Sequence, residues 1–355
     1  MIASLLQSLL TYVAVLAVTL ALIPLLARIA TRTGLVDYPG RRKRHRGAVP
    51  LIGGPAIFAG SCLGAYLMPD PLGDYLPLFA SLSVLLVAGM LDDLRDLTAW
   101  QKLVAQLIAA TLMISWGKVV VTNVGDLFGF GPLVLLRWGL PFTIIALIGL
   151  INAINMSDGA DGLAAGLAMI ALAFLAMSAF IAGRAVSGHL LLTAFAAVLA
   201  FWVLNMRLPW QRHAKIFLGD SGSMMLGLLL TWFSIEVTRG GAGLSPIAAV
   251  WFLALPLVDM GVVILRRIGR GQSPFRAGRD HFHHMLIATG IPPATAVRLM
   301  LALALTLAAT GFVAWRAGVP DYVMFYAFIA LLAGSYALSW RWPRIVRWVR
   351  RRISR

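Results

Sequence analysis

The chain has 355 residues, of which 60% are hydrophobic and only 12% are charged, with a mean hydropathy of +0.86. A soluble domain of this length would carry about twice that fraction of charged residues, so the composition excludes a soluble globular protein and indicates an all-α polytopic membrane protein. The one cysteine, Cys62, lies in an apolar run. It excludes an intrachain disulfide and gives no sign of a metal–thiolate site.

Eleven apolar segments are predicted to cross the membrane as helices, since their lengths approach the bilayer thickness. They lie near residues 3–27, 51–69, 75–91, 100–117, 138–154, 163–183, 188–206, 220–237, 246–266, 296–315 and 321–340. The first segment has no basic leader and is too long for a signal peptide, so we expect it to be retained as a spanning helix. Residues 1–340 are then one integral-membrane domain, and residues 341–355 are a basic cytoplasmic tail.

Lysine and arginine are distributed unevenly between the two sides of the predicted bundle. One set of loops, with the tail, holds 25 of the 30 residues, and the other set holds only Lys118, Arg137, Arg184, Arg239 and Arg316. The positive-inside rule therefore predicts a periplasmic N-terminus and a cytoplasmic C-terminus. The net charge of +16 is explained by topology, and we expect no nucleic-acid partner.

The periplasmic loops are short, and the longest, residues 118–139, alternates valines before a glycine-rich turn. This pattern favours a small periplasmic β-hairpin. The cytoplasmic loops carry most of the unusual chemistry. Thirteen of the fourteen acidic residues are aspartates, Glu236 being the exception, and short carboxylates suit fixed positions near a metal or a phosphate. Six of them lie at predicted cytoplasmic helix ends: Asp92, Asp93, Asp96, Asp158, Asp161 and Asp220.

Two of these aspartates are adjacent. Asp92 and Asp93 follow an uncharged segment, residues 76–90, at the end of a predicted span. Neighbouring carboxylates repel each other, and they are costly to desolvate near hydrocarbon. A shared cation or basic side chains would offset that repulsion, which makes the pair a candidate for catalysis.

Two further motifs begin or end predicted spans. In "INAINMSDGADGLAAG", residues 151–166, Asn152 and Asn155 share a helix face, as do Asp158 and Asp161 if the helix continues. In "FLGDSGSMMLG", residues 217–227, Asp220 begins a helix whose free N–H groups favour a phosphate or a carboxylate. The alternative for Asp161 and Asp220 is simple helix capping.

Basic residues are concentrated in two cytoplasmic loops. The segment "RRIGRGQSPFRAGRDHFHHML", residues 266–286, includes Arg279 and three histidines, His281, His283 and His284. Flanking arginines would repel zinc, so an anion pocket fits better, the alternative being a solvated loop that serves topology. The run at 41–46 precedes a Pro/Gly-rich helix entry, which suggests that Lys43, Arg44 and His45 also face the site; equally, the run could only hold the loop inside.

Carboxylates with amide oxygens suit Mg²⁺, and the basic groups would neutralise phosphates. The residues thus predict a phosphorylated, nucleotide-linked substrate from the cytoplasm and a lipid acceptor in the bilayer. A proton-coupled transporter is the rival class, and it would place acids near the bilayer midplane. Only Asp259 lies deep within a predicted span, and a polar contact between helices explains it.

Five motifs together resemble the polyprenyl-phosphate N-acetylhexosamine-1-phosphate transferase family, glycosyltransferase family 4. They are "DYPGRRKRHRGAVPLIGG", "LDDLRDL", "NAINMSDGADGLAAG", "FLGDSGS" and "SPFRAGRDHFHH", within about residues 34–290. The resemblance is strongest to the branch that transfers GlcNAc 1-phosphate from UDP-GlcNAc to undecaprenyl phosphate, releasing UMP, to start O-antigen and related lipopolysaccharide glycans in the bacterial inner membrane. QuiNAc, FucNAc, GalNAc and MurNAc-pentapeptide donors remain alternatives, and a homodimer is left open.

The resemblance also implies roles for individual residues. Asp92 and Asp93 match the aspartate pair that activates the lipid phosphate or assists the metal, Mg²⁺ or Mn²⁺. Asn155 and Asp220 match metal-contacting positions. The matched substrate positions are Lys102 for phosphate, Asp161 near uracil with Asp158 in the same turn, and Arg279, His281, His283 and His284 for sugar and diphosphate. Phe282 stands at the variable position of the histidine motif and departs from the common pattern.

Overall fold

A computed structural model of the chain describes residues 2–38, 47–68, 72–239, 243–273, 278 and 280–353. These residues form the helices α1 Ile2–Thr33, α2 Gly53–Leu67, α3 Leu76–Arg95, α4 Ala99–Thr111, α5 Gly139–Ser157, α6 Leu163–Ile181, α7 Ala185–Asn205, α8 Gly219–Thr238, α9 Pro246–Phe252, α10 Ala254–Ile268, α11 Phe282–Ala288, α12 Pro293–Arg316 and α13 Asp321–Ile353. Two short strands, β1 Val36–Asp37 and β2 Val49–Pro50, pair antiparallel.

All eleven predicted spans coincide with helical segments, and the chain is an all-α, multi-pass membrane protein. Within the described ranges, seven helices are long and apolar enough to cross a membrane, or eight if the bent pair α9–α10 counts as one span. Helix α2 has only 15 residues, and α4 has 13 before a π-helical turn at Leu112–Trp116. The count of eleven spans therefore stays a prediction.

Helix α8 is the centre of the bundle. It packs against α2, α3, α5 and α6, and nearly all of its side chains are buried. Small residues at its start allow this contact, because a methyl group added at Gly54 of α2 would lie 2.7 Å from the backbone nitrogen of Gly222. The outer surface is apolar instead, with exposed leucines and aromatic residues on α1, α3, α5, α12 and α13, as a lipid-facing surface requires.

The predicted span 246–266 is broken into α9 and α10, which meet at an angle of 81°. The break at Leu253 lies just before Pro256. Proline has no N–H to donate to the carbonyl four residues earlier, and its ring clashes with that carbonyl, so a straight helix is disfavoured here.

Two loop regions differ from expectation. In the 118–139 segment, one antiparallel bridge from Asn123 to Val134 and three backbone hydrogen bonds join residues 122–125 to residues 133–135. No extended strand forms among these residues, so the expected β-hairpin stays a prediction. The β1–β2 pair instead flanks the basic run at 41–46, and a parallel bridge from Leu51 to Phe217 joins this segment to the start of α8. Helix α13 continues without a break through the predicted domain boundary at 340.

Glu236, the single glutamate, lies at the C-terminal end of α8, away from the aspartate motifs. Its carboxylate accepts hydrogen bonds from Ser187 at 2.8 Å and from Tyr75 at 3.4 Å, and it pairs with Arg184 at 3.3 Å. These contacts join the starts of α3 and α7 to the end of α8, so Glu236 stabilises the end of the bundle opposite the aspartates.

Candidate active site

The motif-bearing helix ends meet at one end of the bundle around a cavity of about 760 Å³. Five of the predicted site residues line it: Asp92, Asp93, Asp158, Asp161 and Asp220. Asp96 also lines it, and so does Asp37 from β1, which the sequence analysis did not select. Among the described lining residues these seven aspartates face one arginine, Arg207, and one histidine, His213. The described lining is therefore strongly acidic.

Asp93 caps helix α8 from the neighbouring helix α3. Its two carboxylate oxygens accept the backbone N–H of Asp220 at 2.9 Å and that of Ser221 at 3.3 Å, and the Ser221 hydroxyl donates to it at 3.1 Å. A carboxylate at this position satisfies N–H groups that have no partner within the helix, and it is favoured by the positive end of the helix dipole. The N-terminus of α8 thus binds a carboxylate of the protein itself.

Glycines permit this close approach of α3 and α8. Gly219 has a φ of +73°, and a side chain there would also lie against the Asp93 carboxylate. A side chain at Gly89, one turn before Asp93, would collide with the backbone of Ser221. The motif "FLGDSGS" therefore needs Gly219 so that the Asp93 carboxylate can reach the start of α8.

Asp92, Asp220 and Lys102 form a cluster beside that cap. The Lys102 ammonium pairs with Asp92 and lies 3.1 Å from Asp220. The other oxygen of Asp92 accepts the N–H of Leu97 at 2.7 Å, which stabilises the sharp turn between α3 and α4. One cation thus offsets two carboxylates, and this explains how the acidic residues come close together.

Asn155 belongs to the same cluster. Its amide nitrogen donates to Asp220 at 2.5 Å and to the Ser223 hydroxyl at 2.9 Å. Asn152, one turn earlier on α5, donates to the carbonyl of Ile148 in its own helix at 2.7 Å. The structure therefore brings Asn155 to the cluster and leaves Asn152 bonded within α5.

Asp158 and Asp161 lie on the turn between α5 and α6. Burial raises the pKa of Asp158 well above its usual 3.8, and the charges of Asp220, Asp93 and Asp161 raise it further. Asp161 accepts a hydrogen bond from Nε of Arg207 at 2.6 Å. Arg207 was not selected from the sequence, since a lone arginine in a basic loop gives no signal of its partner 46 residues away.

The histidine motif packs against the same turn. His281 contacts Asp259 of α10 at 3.1 Å, and Asp259 also accepts the N–H of Phe282 at 2.9 Å, which confirms the polar contact expected for this buried acid. His283 is buried near Gly159, and neither of its ring nitrogens has a hydrogen-bond partner within the described residues. Burial lowers the pKa of His283 to about 3, with contributions from His284 and His281, so the ring is neutral at pH 7.

Four predicted site residues, Lys43, Arg44, His45 and Arg279, lie outside the described residues. The ring of His284 contacts that of His283 at a tilt of 47°, with ring centroids 4.1 Å apart. Its contact with the cavity remains a prediction.

The oxygen donors at the Asp220 cluster fit a hard divalent cation. Mg²⁺ binds proteins through one or two carboxylates and keeps several waters, and Asp220 beside the amide of Asn155 offers a carboxylate and an amide for such a site. Within the described part of the chain, no group of three or more His, Cys, Asp or Glu side chains is placed to hold a metal ion. A cation at Asp220 would therefore take its other ligands from water and from the phosphates of a substrate.

An acidic cavity at the meeting ends of apolar helices fits a membrane-embedded enzyme, and the comparisons with known proteins support that class. The family model described as glycosyl transferase family 4 matches residues 75–238. The chain is 38% identical over 327 residues to undecaprenyl-phosphate alpha-N-acetylglucosaminyl 1-phosphate transferase of Haemophilus influenzae, covering 91% of each chain. It is 32% identical over 333 residues to the enzyme of that name from Escherichia coli K12, covering 92% of this chain and 90% of the relative. The chain belongs to glycosyl transferase family 4 and is a transferase.

Proposed function

We propose that the protein transfers GlcNAc 1-phosphate from UDP-GlcNAc to undecaprenyl phosphate, giving undecaprenyl-diphosphate-GlcNAc and UMP. The observation that carries this proposal is the Asp92–Lys102–Asp220–Asn155 cluster, whose two aspartates line an acidic cavity at one end of an apolar bundle. The names of the relatives give the same acceptor, undecaprenyl phosphate, and the same transferred group, N-acetylglucosaminyl 1-phosphate. This reaction would be the first membrane step in making a cell-surface polysaccharide such as O-antigen.

The proposal includes an orientation. The protein lies in the bacterial inner membrane with its N-terminus in the periplasm and its cavity facing the cytoplasm, as the 25-to-5 distribution of lysine and arginine supports. The cavity end is then open to a soluble nucleotide sugar, and the apolar flanks give a lipid acceptor access from the bilayer.

In the transfer, a phosphate oxygen of undecaprenyl phosphate attacks the β-phosphorus of the donor. The new P–O bond forms as the bond between the β-phosphorus and the bridging oxygen breaks, and UMP leaves with that oxygen. Asp92 accepts the acceptor's proton when the lipid phosphate is protonated, and Lys102 binds phosphate oxygens. Lys102 is held for this by the two carboxylates it contacts.

Asp220 and Asn155 would hold Mg²⁺, for which Mn²⁺ can substitute. A bound cation would neutralise the charge that develops on the diphosphate and the leaving UMP. The Asn155 amide can present its oxygen instead of its nitrogen by turning about its last side-chain bond. The histidines are assigned to the sugar and diphosphate, where a neutral His283 can donate one hydrogen bond and accept another.

A competing mechanism uses an aspartate as the nucleophile and forms a phospho-sugar-enzyme intermediate. The contacts disfavour Asp93 in that role, because both of its oxygens accept hydrogen bonds from the start of α8. We propose direct attack by the lipid phosphate, with Asp92 as the base.

The test is UMP release by the purified protein in detergent with undecaprenyl phosphate and a panel of UDP-sugars. We expect the highest kcat/KM with UDP-GlcNAc, ahead of UDP-GalNAc, UDP-QuiNAc, UDP-FucNAc and UDP-MurNAc-pentapeptide. Preference for another of these would change the sugar and keep the reaction class. Substrate accumulation in vesicles without UMP release would instead identify a transporter.

A further inference from the structure

One cation of the cavity has no part in the mechanism so far. Arg207 lies on the loop between α7 and α8, lines the cavity, and is about one-third exposed, at 31%. Its Nε donates to Asp161, and its two terminal amino groups have no protein partner among the described residues. We infer that Arg207 is a substrate-binding residue that donates to oxygen atoms of the nucleotide half of the donor. This inference rests on the proposed function.

The arginine is held in a fixed position. The loop closes on itself through the antiparallel bridge between Leu208 and Gln211, and the Gln211 amide donates to the carbonyls of Leu204 at 2.8 Å and Met206 at 3.0 Å. Asp161 then fixes the guanidinium at 2.6 Å from Nε. A planar guanidinium bonded at one edge presents its other N–H groups in a set direction, which suits recognition of an oxygen acceptor.

The charge distribution explains why such a donor is needed. The described lining has seven aspartates, and the ammonium of Lys102 is already bonded to Asp92 and Asp220. Among the described lining residues, Arg207 is the one arginine that a nucleotide entering the cavity would meet, and it has unused donors. Its hydrogen bond would be charge-assisted, and such bonds are stronger than those between neutral groups.

The arginine lies beside the transfer cluster and not within it. Asp161 and Arg207 line the same cavity as Asp92 and Asp220, and the hydrogen bond between Asp161 and Arg207 is separate from the contacts that join the cluster. In the proposed reaction, the acceptor and the β-phosphate lie at the cluster. The atoms that reach Arg207 thus belong to the part of the donor that leaves, uridine monophosphate, through its phosphate or its uracil or ribose oxygens.

The test compares Arg207→Ala and Arg207→Lys with wild type and with Arg212→Ala. Arg212 is on the same loop, is exposed, and is not among the residues that line the cavity. We expect both Arg207 variants to raise the KM for UDP-GlcNAc and the Ki for UMP together, by about tenfold or more, the scale of one lost hydrogen bond to a charged group. The KM for undecaprenyl phosphate and the melting temperature should stay near wild type, and Arg212→Ala should match wild type throughout.

Inhibition by uridine shows whether Arg207 contacts an oxygen of the nucleoside or of the phosphate. An equal rise in the Ki of uridine assigns the contact to the nucleoside, and a rise for UMP alone assigns it to the phosphate. An unchanged Ki for UMP in both Arg207 variants would overturn the inference, even if the KM for UDP-GlcNAc rose. If wild type itself released no UMP, the proposed function would fail first, and that result is distinct from wild-type turnover with unaffected Arg207 variants.

Discussion

At the scale of single residues, the adjacent aspartates of α3 make different contacts. Both carboxylate oxygens of Asp93 accept hydrogen bonds from the start of α8, so a residue of α3 caps that helix. Asp92 shares Lys102 with Asp220, although it also stabilises the turn after α3 through Leu97. Their contacts predict a catalytic role for Asp92 and a positioning role for Asp93.

Asp92→Asn should lower kcat by at least about a hundredfold, the usual scale for losing a positioned general base, and leave the donor KM within about threefold. Asp93→Asn should lower the melting temperature more than Asp92→Asn, because its amide would present N–H groups to the N–H groups of α8. Steady-state kinetics and thermal unfolding in detergent measure both. A kcat within about twofold of wild type in each variant would show that the pair only caps helices.

Asp158 predicts a pH-dependent stability. Because the pKa of Asp158 is higher in the folded state, its carboxyl group loses its proton at a lower pH in the unfolded chain than in the folded one. Asp158 therefore destabilises the fold increasingly as the pH rises above its unfolded-state pKa of 3.8. Asp158→Asn removes that cost. Its melting temperature should exceed that of wild type by a margin that grows as the pH is raised from about 4 and levels off above the folded-state pKa. A margin that shrinks with rising pH would contradict the assignment.

At the scale of elements, the site depends on how closely α3 approaches α8. Residues 76–90 predict a helix from their apolar character alone, but nothing local shows that Gly89 faces Ser221. That contact joins segments far apart in the sequence. The bend between α9 and α10 had a local signal in Pro256, and the end of α2 at Leu67 had one in Pro69 and Asp70, which follow it closely.

Gly89→Ala tests whether α3 must pack closely against α8. Its methyl group would collide with the backbone of Ser221 and push α3 away from α8, which would weaken the Asp93 cap. Overpacking of this kind costs about 1–3 kcal/mol, so the melting temperature and kcat should both fall. Gly149→Ala is the matched control, because a methyl group there meets no atom within 4 Å. Equal melting temperatures and kcat values for the two variants would contradict the proposed packing constraint.

At the scale of the whole molecule, the sequence predicted the class and most of the cavity. Charged residues at the ends of apolar helices are costly unless they serve a site, and alternating helices return them to one end of the bundle. Asp92, Asp93, Asp158, Asp161 and Asp220 could be found this way. The bonding partners of the acidic residues could not be predicted from the sequence, because the Asp161–Arg207 and Asp259–His281 pairs depend on how distant segments pack.

Topology is testable with single cysteines placed at each end of the bundle. In a Cys62→Ser background, Trp210→Cys and Phe130→Cys replace side chains that are 78% and 96% exposed. A membrane-impermeant thiol reagent added to intact spheroplasts should label the cysteine at 130 and leave that at 210 until the membrane is opened. The reverse pattern would invert the protein and close the cavity to cytoplasmic nucleotide sugars.

The most direct measurement of the proposed reaction follows the two phosphorus atoms of the donor. UDP-GlcNAc carrying ³²P at the β-phosphorus should pass its label to the organic-extractable lipid, and donor labelled at the α-phosphorus should give labelled UMP in equal amount. Asp220→Asn should lose both signals, because a neutral amide cannot supply the charge that holds a divalent cation. Release of α-labelled UDP, or lipid formed without β-label, would show that the sugar moves without its phosphate and would contradict the account.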